Sequence, residues 1–314
     1  MEKSKKILEA INENIKKVII GKEEAVKLAL IALIANGHVL IEDVPGVGKT
    51  SLVAALAKSV DCSFKRIQFT PDILPSDITG FSIFNQKIAD FEFRHGAVMS
   101  QFVLADEINR TSPKTQAALL EAMEERQLSI DGTTYELPKP FMVLATQNPI
   151  EFLGTFPLPE AQMDRFFMKI TMGYPNIRDE LMILERYNKI NPLSELTPVA
   201  TADDIIEIQN KVKDVFIDAS LNNFIVTLVT KTRNHPYLEL GASPRASLYL
   251  HRAAQANALL KGSNFVVPED ILEVIVPVLS HRIVVKHEFA SNENIHENII
   301  KDILNEMSVP VLNR

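Results

Sequence analysis

The chain has 314 residues, 46% hydrophobic and 23% charged, which suffices for a real core and for two domains and excludes a disordered chain. Lys and Arg number 33 against 40 Asp and Glu, a net charge of −7, which argues against a general nucleic-acid binder because phosphate contacts need a dense basic face. The single cysteine, Cys62, excludes an intramolecular disulfide and a cysteine-built zinc site, and fits a reducing compartment.

From the N-terminus, MEKSKKILEAINENIKKVII carries charge throughout and is no signal peptide. The apolar run Leu28 to Ala35 is far too short to span a bilayer, so a soluble, cytoplasmic protein is expected. Short β-rich runs then alternate with helical patterns. Val39–Glu42, Phe64–Phe69, Phe102–Ala105, Phe141–Ala145 and Phe166–Thr171 read as strands. Strands separated by helices imply crossovers and a mainly parallel sheet, an α/β fold. Thr50–Lys58 is helical by composition, and Ser112-Pro113 is a helix start with the serine as cap. Asp131-Gly132 between Leu128 and Leu137 marks a hairpin, and the alternating aromatics of Phe81 to Phe93 mark an insertion. Beyond 173–177, which reads as a hinge, strand-like runs are scarce; capped starts at Thr201 and Pro268 make 178–314 an all-helical second domain after a core of 1–172.

The chemistry begins at Asp43-Val44-Pro45-Gly46-Val47-Gly48-Lys49-Thr50, between a strand and a helix, where a phosphate-binding loop belongs. Pro45, Gly46, Val47 and Gly48 would turn backbone N–H groups onto phosphate oxygens, and the helix from Lys49, Thr50 and Ser51 presents its positive end to the anion. Lys49 would reach the outer phosphates of ATP and Thr50 would ligate Mg²⁺. Asp43 stands where the usual pattern has its first glycine, so its carboxylate is expected to face away from the triphosphate.

Asp106 and Glu107 end an apolar strand, at the sheet edge where open α/β folds bind ligands. Asp106 would hold Mg²⁺ and Glu107 would polarise the attacking water; a strand merely ending in acidic surface is the plainer alternative. Asn148, after another apolar strand, could hold that water and the γ-phosphate, although Asn148-Pro149 also reads as a turn. Arg165 and Arg245 complete the set. Ser243 and Pro244 put Arg245 in the first turn of a helix, where the dipole does not favour a cation, so an anionic partner, ATP, is the simpler explanation.

Together EDVPGVGKT, FVLADEINR, SPKTQAALLEAMEERQ, LATQNP, EAQMDRF, GASPRAS and HRIVVKHEF resemble the MoxR family of AAA+ ATPases over nearly the whole chain. The resemblance implies an αβα nucleotide-binding core with a helical lid. It makes Lys49 and Thr50 the Walker A pair, Asp106 and Glu107 the Walker B pair, and Asn148 the first sensor. Arg165 becomes an arginine finger acting on a neighbouring subunit, Arg245 the second sensor on the lid, and Ile19-Ile20-Gly21 the stretch against adenine. Residues 81–93 become the helix-2 insert and the hairpin near 128–138 the pre-sensor insert. It further implies a homo-oligomeric ring, a hexamer in the family, with a von Willebrand factor A domain partner and a protein client to be remodelled. A lid swinging about 173–177 would follow the nucleotide through Arg245. A nucleic-acid motor is disfavoured because the hairpin carries Asp131 and Glu136 but no Lys or Arg. A magnesium-chelatase-type motor subunit shares the chemistry.

Overall fold

Five of the apolar runs assemble side by side. A computed structural model of the chain describes residues 2–87, 89–148, 155–188, 191–289, 292 and 294–310; Pro149 of the expected turn, and residues 311–314 of the expected lid, lie outside them. The strands are β1 (Val39–Glu42), β2 (Phe64–Gln68), β5 (Phe102–Asp106), β8 (Met142–Gln147) and β9 (Met168–Ile170). They lie in the order β2-β5-β8-β1-β9, and every neighbouring pair is parallel. The interior strand β5 is buried at all five positions, which its apolar run Phe102–Ala105 requires once both faces are covered. β2, at the edge, leaves Lys65, Arg66 and Gln68 in solvent.

Helices α1 (Glu2–Lys16), α2 (Glu23–Ile34) and α3 (Lys49–Ser59) belong to one face of this sheet. On the other face lie α4 (Pro75–Thr79) and α5 (Pro113–Glu125), whose Ser112 hydroxyl accepts the Thr115 N–H as the Ser-Pro start predicts. Two antiparallel hairpins leave the core, β3 (Gly80–Asn85) with β4 (Asp90–His95), and β6 (Gln127–Ile130) with β7 (Thr133–Glu136). They touch through Phe93, stacked on Tyr135 at 4.2 Å between ring centroids. Phe81, Phe84 and Phe91 remain 48%, 53% and 68% exposed, so Phe93 packs while the other three face solvent.

The chain continues through α6 (Glu160–Met163), α7 (Ile177–Tyr187), α8 (Pro192–Glu195), α9 (Ala202–Val212), α10 (Ala219–Thr232), α11 (Pro244–Leu260), α12 (Pro268–Leu279) and α13 (Ile295–Asn305). Thr201 and Asp204 cap α9 reciprocally, as their spacing predicts. The helical region also holds a two-stranded ladder the sequence did not announce, β10 (Leu238–Leu240) against β11 (Val284–Val285), strands too short to show a period. One apolar cluster runs without a break from α1, α2 and α3 into α9, α10, α11, α12 and α13. These late helices therefore share a core with the sheet domain and are not tethered to it by residues 173–177 alone.

Candidate nucleotide site

At the carboxyl edge of the sheet the turn after β1 takes Gly46 and Gly48 to φ of +83° and +93°, a region in which a Cβ would be strained. Gly48 is the N-cap of α3, so the loop runs directly into the positive end of that helix. Lys49 Nζ folds back to donate to the Asp43 carbonyl at 2.9 Å. The Asp43 carboxylate turns away, as expected, and does a separate job. Its Oδ2 accepts the N–H groups of Met172 and Gly173 at 2.5 and 2.6 Å, clamping the end of β9 to the start of the loop.

Pro45, Gly46, Gly48, Lys49, Thr50 and Ser51 wall a cleft of 380 Å³ whose other side is Arg66, Gln68, Asp106, Glu107 and Asn148. A larger cavity of 710 Å³ between α10 and α13 contains none of these groups. Val47 leaves the cleft and packs on the core. Thr146 organises the carboxylates: its hydroxyl donates to Asp106 Oδ1 at 2.7 Å and accepts the Glu107 N–H at 2.8 Å. Asp106 Oδ2 is paired with the Arg66 guanidinium at 2.6 Å. Glu107 takes φ +58°, costly for a side-chain-bearing residue and typical of functional turns. Its Oε2 accepts Gln68 Nε2 at 2.7 Å and Arg110 Nε at 3.1 Å. Thr50 and Asp106 offer hard oxygens on facing walls, the donor chemistry that Mg²⁺ takes.

Beside this polar cleft is an apolar one of 260 Å³, bounded by Val18, Ile19, Ile20, Val47, Ile183 and Tyr187. Its size and lining suit a purine ring. Gly21 approaches α7 so closely that a Cβ would sit 2.0 Å from Asp179 Oδ2.

Arg165 and Arg245 lie elsewhere. Both bind Glu124, at the end of α5: Arg165 Nη2 to Oε2 at 3.2 Å and Arg245 Nη2 to Oε1 at 2.7 Å. They open on a 200 Å³ cavity with Asn36 and His38, the residues that lead into β1, whereas the phosphate loop follows the other end of that strand. Arg245 is thus not in the phosphate cleft of its own chain. Ser243 sits at the N-cap of α11, but its hydroxyl donates to Asp164 Oδ2 at 2.9 Å instead of capping the helix. Asp164 Oδ1 takes Arg282 Nε at 3.0 Å, and the Arg282 side chain is fully buried, its guanidinium also donating to the carbonyls of Phe166 and Val278. Burial lowers the Arg282 pKa to about 10, and the Asp164 carboxylate works against that fall. Burial, with Arg126 nearby, pushes His38 down to about 3; the neutral ring accepts the Val143 N–H on Nδ1 and donates to the Met123 carbonyl from Nε2.

Arg66 and Gln68 were missed from sequence although the alternation of Phe64–Phe69 places them on one strand face. Glu124 and Thr146 had no local signal, because their partners are far away in the chain.

A family model described as "ATPase family associated with various cellular activities (AAA)" matches residues 38–168, and an "AAA lid domain" model matches 230–303. The Bacillus subtilis protein YeaC, described as uncharacterised, is 53% identical over 95% of this chain and 93% of its own. Chaperone MoxR1 of Mycobacterium tuberculosis is 41% identical over 95% of this chain and 81% of its own. Protein MoxR of Paracoccus denitrificans is 31% identical over 85% of each. A provisionally assigned ATPase of Cytophaga hutchinsonii, solved by crystallography, superposes with a TM-score of 0.92 at 41% identity, covering 99% of this chain and 97% of that one.

Proposed function

The chain belongs to the MoxR family of AAA+ ATPases, and from that premise we propose that it hydrolyses ATP at the seams of a homo-oligomeric ring to remodel a protein client. The observation that carries the ATPase reading is the single cleft in which Lys49, Thr50, Asp106, Glu107 and Asn148 face one another at the carboxyl edge of the sheet. Lys49 and the loop amides bind the β- and γ-phosphates, and the apolar cleft beside Ile20 and Gly21 receives the base. Thr50 and Asp106 are the residues to hold a Mg²⁺ ion, which when bound neutralises phosphate charge. Glu107, oriented by Thr146, Gln68 and Arg110, takes the proton of the attacking water, and Asn148 fixes that water's position.

Hydrolysis in trans is supported by where Arg165 and Arg245 sit. About 13 Å of β1 separates their end of the sheet from the phosphate loop, at ~3.3 Å per residue. A neighbouring copy placed head to tail brings them to its own cleft, and closure of such a contact gives a ring, for which we take the family's hexamer. The break at residues 173–177, the lid, the client and a von Willebrand factor A domain partner belong to the same reading. The separating experiment is nucleotide binding with Mg²⁺ by calorimetry alongside phosphate release. Lys49→Ala is expected to lose ATP binding; Glu107→Gln is expected to bind ATP and lose at least ~100-fold in rate, the usual worth of a positioned base. Normal turnover by Glu107→Gln overturns the assignment.

A further inference from the structure

The cavity that holds Arg165 and Arg245 contains two more guanidiniums, those of Arg126 and Arg252, and its one acidic lining residue among the described residues is Glu124. Arg126 is a wall: its Nη1 and Nη2 donate to the carbonyls of Phe141 and Asn36 at 3.2 and 2.6 Å. Arg252 is different. It is exposed, and no hydrogen bond or ion pair engages it among the described residues. It stands seven residues after Arg245 on α11, so the two arginines share a helix face with Tyr249 between them. Tyr249 is fixed from behind by Phe167, 5.2 Å away, and by the buried Arg282 over its ring at 5.0 Å. The helix under this face is therefore anchored at Tyr249, and the face is strongly cationic and under-neutralised.

An anion of more than one charge suits such a cluster, and guanidinium forks match phosphate oxygens. Glu124 already imitates one: each of its two oxygens takes one arginine. The oxygen-to-oxygen span of a carboxylate is close to that of a phosphoryl group. We propose that Arg252 completes a three-arginine face, with Arg165 and Arg245, that binds the triphosphate of a neighbouring copy, and that Glu124 occupies this face until that phosphate replaces it. The proposal rests on the trans reading above and adds a residue and an exchange to it. In the free subunit Glu124 holds the two arginines at the spacing they will need; on assembly it yields them, and the face gains the contact of Arg252.

The test is ATP-dependent assembly, measured by sedimentation on Glu107→Gln protein so that MgATP is not consumed. Arg252→Gln and Arg165→Gln are each expected to raise the subunit concentration of half-assembly by about tenfold or more in MgATP, the worth of a lost charge-assisted hydrogen bond, and to leave it unchanged without nucleotide. Glu124→Gln is expected to lower it, because an amide holds two guanidiniums less tightly. Matched melting temperatures show that the variants fold. A shift for Arg165→Gln with none for Arg252→Gln overturns the proposal and leaves the trans reading standing. No shift for either overturns both. A midpoint unchanged or raised by Glu124→Gln overturns the exchange. Arg252-dependent binding of inorganic phosphate or ATP by dilute Lys49→Ala monomer assigns the face to a free anion, and also overturns it.

Discussion

Asp43 illustrates how one substitution in a familiar pattern can be structural. Its carboxylate draws two backbone amides of the segment after β9 onto the phosphate loop, so the residue that departs from the glycine pattern ties that segment to the loop. Asp43→Ala leaves both amides without their partner and is expected to cost about 1–3 kcal/mol in denaturant unfolding and to weaken nucleotide binding as well. His38 gives a second prediction. Its folded pKa of about 3 lies below the unfolded value of 6.5, so the unfolded chain binds the proton first. The contribution is fully present above pH 6.5 and is lost as pH falls toward 3, with a slope of up to about 1.4 kcal/mol per pH unit. Unfolding free energies at pH 7.5 and 5 are expected to fall less for His38→Gln than for the native chain. An equal fall places the titrating group elsewhere.

The two hairpins separate what alternation alone left open. A strand of alternating aromatics hides one face, and the sequence does not say which. In β4, Phe91 and Phe93 share a face, and along it only Phe93 is covered, its ring stacked on Tyr135 of β7, while Phe84 and Phe91 meet edge to face at 5.4 Å and stay exposed. Phe93→Ala is therefore expected to cost about 1–3 kcal/mol in thermal or denaturant unfolding, against under ~1 kcal/mol for Phe91→Ala. The reverse order would show that the inserts are not held together through this stack. The exposed Phe81, Phe84 and Phe91 are then the surface a client could meet, by the same reading that assigns the remodelling role.

The shared core changes the picture of the lid. Apolar contacts continue from α1 and α2 into α9 and α11, and Arg282, after α12, spends its buried guanidinium on the Asp164 carboxylate and on the carbonyls of Asp164 and Phe166 that flank Arg165. The segment carrying Arg165 and the helix carrying Arg245 are tied at Asp164, which also receives Ser243. Arg282→Met strands the Asp164 charge against buried neighbours and is expected to cost about 3–5 kcal/mol, as removal of one partner of a buried pair does. Calorimetry is expected to show one unfolding transition for the native chain, since core and late helices share a cluster. Two separate transitions would show that they fold apart.

The phosphate loop, the paired carboxylates at a strand end and the order of strands and helices were legible in the sequence, because each depends on residues within a few positions of one another. Hydrophobic period, turn glycines and capping residues act locally, and that part of the α/β fold followed from them. What the tertiary structure decided depends on partners about forty residues or more apart in the chain. Arg66 on Asp106, Gln68 on Glu107 and Arg165 with Arg245 on Glu124 are of that kind. So is the side of the sheet on which Arg245 emerges. No local period encodes it, since it follows from how α11 packs against α1 and α2 to bury a common apolar surface.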